Sequence, residues 1–85
     1  MRWRVQIRDR ARKILKRIPH SDWRRIDVVL GQLGDNPFAG DVEKMKGEEN
    51  VWRRRIGAYR IFYEIRSDEH LVFVFRVERR TSVTY

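Results

Sequence analysis

The residues of this chain that could do chemistry are arginines, and they cluster. Arg53, Arg54, Arg55 and Arg60 flank a Gly57-Ala58 pair inside an otherwise apolar stretch from Val51 to Tyr63. A guanidinium is a permanently charged planar fork of donors that matches the oxygens of a phosphate or a carboxylate. It stabilises anions well and moves protons poorly. A two-residue loop that starts with Gly suits a type II′ hairpin. That loop sets the register: Ile56 opposite Tyr59, Arg55 opposite Arg60, Arg53 opposite Phe62. Side chains alternate between faces of a strand. Trp52, Ile56, Tyr59, Ile61 and Tyr63 therefore share a core-like face. Arg53, Arg55 and Arg60 share the other face with Phe62. Like charges directly opposite one another repel, and an anion seated among them would offset that repulsion. The plain alternative is a solvated sheet face, with Glu64 and Glu78 as partners. Arg54 falls on the apolar face, so it either snorkels out at the sheet edge or the register is off by one.

The whole chain has the same bias. It has 85 residues, with 20 Lys and Arg against 12 Asp and Glu, a formal net charge of +8. Such an excess points to a polyanionic partner, nucleic acid or an acidic protein. The length fits one domain, residues 1–85, that buries only about 60–65% of its unfolded surface. No cysteine is present to staple it or to bind zinc. Two histidines do not make a metal site, and no metal or other cofactor is expected. At 41% hydrophobic, the composition is too apolar for a disordered basic tail. No apolar run approaches the roughly 18 residues of a membrane span, and no signal-peptide core follows Met1. A cytoplasmic protein without membrane contact is expected.

The elements that must position the arginines read off the periodicity. Residues 3–7 alternate as a half-buried strand. Asp9 can cap a helix whose Ala11, Ile14, Leu15 and Ile18 form one apolar face, with Arg10, Arg12, Lys13, Lys16 and Arg17 on the other, and Pro19 ends it. Ser21 is the expected N-cap of a second helix carrying Trp23, Ile26, Leu30 and Leu33, closed by Gly34 and Pro37. Residues 35–50 read as loop, with a short extended piece around Val42 to Lys46. Strands Val51 to Ile56, Tyr59 to Arg66 and Leu71 to Val77 follow. The expected fold is α+β, in the order β-α-α-β-β-β. An αα-hairpin packs on one face of a small, mainly antiparallel four-stranded sheet.

The string from Trp52 to Tyr63 resembles the Arg-x-Gly-x-Tyr-Arg-apolar-apolar-Tyr signature of the RelE/ParE toxin superfamily. Asn36-Pro37-Phe38 resembles that family's turn after the second helix. Lys44-Met45-Lys46-Gly47 resembles its Lys-Leu-Lys/Arg-Gly element, and Arg79 to Tyr85 its closing Arg-rich stretch. The resemblance covers nearly the whole chain. It implies the toxin of a type II toxin–antitoxin pair. RelE-like members cut mRNA in the ribosomal A site, whereas ParE-like members inhibit DNA gyrase and lack the nuclease residues. By this resemblance Arg60 stabilises the transition-state phosphate, Arg79 matches the candidate general acid, and Tyr85 stacks on or orients the nucleotide. Arg53 stands where RelE-like enzymes carry a catalytic Lys. Arg is a poor base; some relatives carry a carboxylate just before the Lys-Leu element, and Glu43 stands in that place, so the resemblance makes it a candidate base, the alternative being an ordinary loop carboxylate. Arg55, Lys44, Lys46 and Arg80 are expected to add RNA contacts, and Arg80 is the alternative to Arg79.

The reaction so implied is attack of a 2′-OH on the adjacent phosphate, without metal. Clustered guanidiniums would stabilise the phosphorane, and positioning on the ribosome would supply much of the rest. His20 and His70 have suitable acid–base chemistry but fall away from the arginine face. The expected partners are the ribosome with its mRNA and an acidic RelB-like antitoxin in a heteromeric complex. The alternatives are a ParE-like gyrase inhibitor without nuclease activity and a catalytically decayed RNA-binding homologue.

Overall fold

The computed structural model describes residues 2–79. Its elements are β1 (Arg4–Ile7), α1 (Asp9–Leu15), α2 (His20–Asp35), β2 (Val42–Lys44), β3 (Val51–Ile56), β4 (Tyr59–Arg66) and β5 (Leu71–Arg79), with a 3-10 turn over Ser67–Glu69 before β5. The strands form one sheet in the order β1-β5-β4-β3-β2. β1 runs parallel to β5, and the other three pairs are antiparallel. The sheet has five strands rather than four, because Val42 to Lys44 pairs along β3 as an edge strand. Three residues carry too little alternation to declare themselves. Long-range bonds hold them: Arg55 N–H donates to the Asp41 carbonyl at 3.1 Å, and Met45 N–H to the Val51 carbonyl at 2.9 Å.

Both helices lie on the sheet face that the alternation marks as apolar. Tyr59, Ile61, Tyr63 and Ile65 of β4 and Val72, Val74 and Val77 of β5 pack against Ala11 and Leu15 of α1 and Ile26, Val29, Leu30 and Leu33 of α2. Ile26, Leu33, Ile61, Tyr63, Val72 and Val74 are fully buried. Sequestering an aliphatic side chain of this size is worth about 2 kcal/mol. The helix starts differ from expectation. Asp9 is the first residue of α1 and makes no cap; Arg8 is the N-cap and has no side-chain bond. Asp9 still favours the start through the helix dipole. α2 begins at His20 with Pro19 as N-cap, so Ser21 lies inside the helix. The Pro19 carbonyl accepts from Asp22 and Trp23, which opens the first turn. Gly34 stays inside α2, where its carbonyl accepts from Trp3 N–H at 2.7 Å.

The Asn36-Pro37-Phe38 turn has a packing role. The Asn36 side-chain oxygen accepts from Phe38 N–H at 3.0 Å. The buried Tyr63 hydroxyl donates to the Pro37 carbonyl at 2.7 Å. Burial pushes the Tyr63 phenol up to about 12, opposed by the nearby Arg54 charge. β5 carries a bulge opposite Phe62 and Tyr63: Tyr63 pairs with Val74 while Phe62 pairs with Arg76. The extra residue, Phe75, reverses which face later residues occupy. Among the described residues, no helix is long and apolar enough to cross a membrane.

Candidate nucleic-acid interface

The β3–β4 hairpin has the register the two-residue turn dictates, with Gly57 at φ +56. Ile56 pairs with Tyr59, Arg55 with Arg60 and Arg53 with Phe62. Arg53, Arg55 and Arg60 therefore share the sheet face away from the helices. Arg54 points to the helix side without breaking that register. Its guanidinium reaches the end of α2, donating to the Ala39 carbonyl at 3.1 Å and the Gln32 side chain at 2.9 Å.

β2 and the loop before it bring carboxylates to the open face. Glu43 lies opposite Arg53 in the register and 3.0 Å from its guanidinium. Asp41 holds Arg55 at 3.1 Å. Glu64 and Glu78 do not serve the three clustered arginines: Glu64 binds Arg66 at 2.6 Å, and Glu78 pairs with Arg76. Arg60 is the exception. Its Nε is buried and meets no hydrogen-bond partner among the described residues. A buried, unsatisfied charged donor is costly, and an anionic oxygen is the group that would satisfy it. Arg60, with Arg55 across the strand pair and Arg53 with Glu43 one step along it, gives the open face its excess of positive charge; the orphaned Nε is a feature Arg60 shares with Arg54 on the helix side.

The remaining expected residues are spread out. Arg79 does not join the three arginines. The bulge at Phe75 turns it to the helix side, opposite Tyr59 in the register, with its guanidinium 5.9 Å from the Tyr59 ring centre. Glu78 occupies the position opposite Arg60 instead. The parity change is visible in the sequence, since the buried Val72 and Val74 are followed by Val77 rather than residue 76. Lys44 is exposed and pairs with Trp52, so it lies on the helix side of the edge strand. Lys46 is exposed in the turn between β2 and β3. Tyr85 and Arg80 fall outside the described residues. His70 stacks on Trp3 with ring centres 4.1 Å apart, away from the arginine row, and His20 opens α2. Asp41 escaped the sequence reading because nothing local ties a loop carboxylate to Arg55. Burial, and then the bond from its hydroxyl to Asp22, raise the Tyr59 phenol; the Arg79 charge opposes them.

Comparison with known proteins points the same way. The family model described as the ParE toxin of the type II toxin–antitoxin system parDE matches residues 3–83. RelE1 of Methanocaldococcus jannaschii is 30% identical over 83 residues, covering 94% of this chain and 92% of the relative. Toxin RelE3 of the same organism is 32% identical over 75 residues, 84% of this chain and 83% of the relative. Among solved structures, the toxin of the RelE–RelB complex from Pyrococcus horikoshii superposes with a TM-score of 0.86. It is 25% identical, and the match covers 98% of this chain and 100% of the other.

Proposed function

The chain belongs to the RelE/ParE toxin superfamily of type II toxin–antitoxin systems, and we propose that it is a ribosome-dependent endoribonuclease that cuts mRNA in the A site. The observation that carries this reading is the unsatisfied Arg60 Nε on an open face flanked by Arg55 and Arg53. Phosphoryl transfer needs positive charge fixed where the phosphorane develops. In the proposed reaction the 2′-OH of one nucleotide attacks its own 3′-phosphate. The new P–O2′ bond forms as the P–O5′ bond breaks. The 2′ proton passes to a base, for which Glu43 beside Arg53 is the candidate, and the departing O5′ takes up a proton. The products are a 2′,3′-cyclic phosphate and a 5′-OH.

Arg60 binds the non-bridging oxygens, and Arg55 adds charge across the strand pair. Arg53 both adds charge and holds the Glu43 carboxylate. Arg79 stands outside this group, so the source of the proton for O5′ is tested separately below. With no histidine on the face among the described residues, in-line placement of the 2′-OH by the ribosome carries much of the rate. Lys44, Lys46 and Arg80 are proposed to contribute backbone contacts and Tyr85 a base contact. The proposed partner is an acidic RelB-like antitoxin, and the proposed location is the cytoplasm, where ribosomes are.

A second reading is supported by the ParE description of the matching family model: inhibition of DNA gyrase without cutting RNA. Primer extension on a message translated by purified ribosomes separates the two. The nuclease reading expects new 5′ ends inside codons, each a 5′-OH that a polynucleotide kinase labels without phosphatase treatment. Intact message together with blocked gyrase supercoiling would establish the second reading.

A further inference from the structure

The open sheet face continues beyond the Arg60 site. Phe62, two residues along β4 from Arg60, pairs with Arg76, and Phe73 of β5 pairs with Glu64 a further two residues along. Both rings are half-buried, and a guanidinium lies over each: Arg76 is 4.9 Å from the Phe62 ring centre and Arg66 is 5.2 Å from that of Phe73. Each guanidinium is tied by a carboxylate on its own strand, Arg76 by Glu78 and Arg66 by Glu64. The result is two Phe–Arg cation–π pairs on successive rows, leading away from Arg60.

We propose that these pairs are a binding platform for single-stranded RNA, seating the bases that flank the phosphate held at Arg60. The proposal rests on the nuclease reading above and extends it to the path of the substrate. Aromatic rings and guanidinium planes are the two surfaces on which unpaired bases stack. The rows are two residues apart, about 6.8 Å, roughly twice the 3.4 Å between stacked bases along one strand. Bases on successive rows are thus pulled apart, which a single strand allows and a duplex resists. The carboxylates favour a base over an acidic polypeptide. Both guanidiniums already hold a carboxylate, while a base needs only a flat cationic or aromatic surface.

The test uses the full chain and a fluorescein-labelled oligoribonucleotide made uncleavable by 2′-O-methylation. Phe73→Leu keeps a large apolar side chain and removes the ring; Arg66→Gln removes the guanidinium. Each is expected to weaken binding about tenfold, as loss of one stacked base should, with unchanged circular dichroism. Arg60→Ala is expected to abolish cutting while retaining the Phe73-dependent part of binding. Wild-type binding by both Phe73→Leu and Arg66→Gln overturns the platform and leaves the nuclease reading untouched. A wild-type protein that cuts nothing yet binds the oligonucleotide through Phe73 keeps the platform and removes the nuclease reading. Loss of affinity for an acidic polypeptide alone, with RNA binding intact, overturns the platform in favour of a protein-docking face.

Discussion

Arg55 and Arg60 face each other across the β3–β4 hairpin, and only one of them has an acid of its own. Arg55 is paired with Asp41 at 3.1 Å, whereas Arg60 Nε is buried without a partner among the described residues. Asp41 thus relieves part of the repulsion between the two guanidiniums while leaving Arg60 open. In the proposed reaction this leaves the Arg60 guanidinium for the substrate phosphate.

Arg60→Ala should therefore lower cutting by about 100-fold or more, the usual effect of removing one preorganised donor. Arg60→Lys should fall between, because it keeps the charge and loses the fork. Stability should not drop, since the substitution removes a cross-strand like-charge pair. Primer extension and urea melts on the same preparations check both halves. A melt that collapses along with the activity would mean that Arg60 is structural.

Glu43→Gln tests the base. The substitution keeps the shape of the side chain beside Arg53 and removes its capacity to take a proton. If Glu43 accepts the 2′ proton, the rate on ribosome-bound message falls by about 10² to 10⁴. A change below about threefold would be within the worth of an exposed ion pair alone, and the base would lie elsewhere.

Arg79→Ala should leave most of the cutting intact, because the bulge at Phe75 has turned that side chain onto Tyr59. What it removes is a guanidinium–ring contact worth about 0.5–1 kcal/mol at an exposed position. A small fall in the urea midpoint with near-normal cutting is expected. Abolished cutting would assign Arg79 the role of acid and require the end of β5 to rearrange on the ribosome.

The buried phenols make the fold sensitive to alkali. Burial raises Tyr63 to about 12 and shifts Tyr59 in the same direction. Between pH 10 and about 12 the unfolded chain releases the Tyr63 proton while the folded one keeps it, and the upward shift of Tyr59 acts in the same direction. The folded state then binds more protons, so stability falls as pH rises through that window. Tyr63→Phe should flatten this limb in part and the double variant with Tyr59→Phe further. The single variant should also cost about 1–2 kcal/mol at neutral pH, since the Pro37 carbonyl loses its donor.

Gly40 and Arg54 are coupled. Gly40 has φ +92, and a Cβ there would lie 2.3 Å from Arg54 Nη1. Gly40→Ala should destabilise by about 1–3 kcal/mol from backbone strain and further by displacing Arg54 from Gln32 and Ala39. In an Arg54→Ala background only the strain remains. Urea melts of the four proteins should show the two substitutions to be less than additive; strict additivity would mean that the loop moves away from Arg54.

The hairpin and its arginine face were legible in the sequence because both depend on near neighbours. A two-residue turn beginning with Gly sets the pairing, and the two-residue period of a strand then sorts Arg53, Arg55 and Arg60 from Ile61 and Tyr63. Element order and the apolar stripe of α2 are legible for the same reason, whereas α1 stops at Leu15, short of Ile18, and leaves Ile14 exposed. Tertiary structure alone decided the rest. The three residues of β2 become a strand only when β3 is beside them. Asp41 meets Arg55, and Arg54 meets Gln32, across long stretches of chain that leave no periodic signal. The face taken by Arg79 turned on one extra residue, Phe75: the spacing of Val72, Val74 and Val77 carries the change of parity, but only pairing with β4 shows that a bulge absorbs it and which residue is extra.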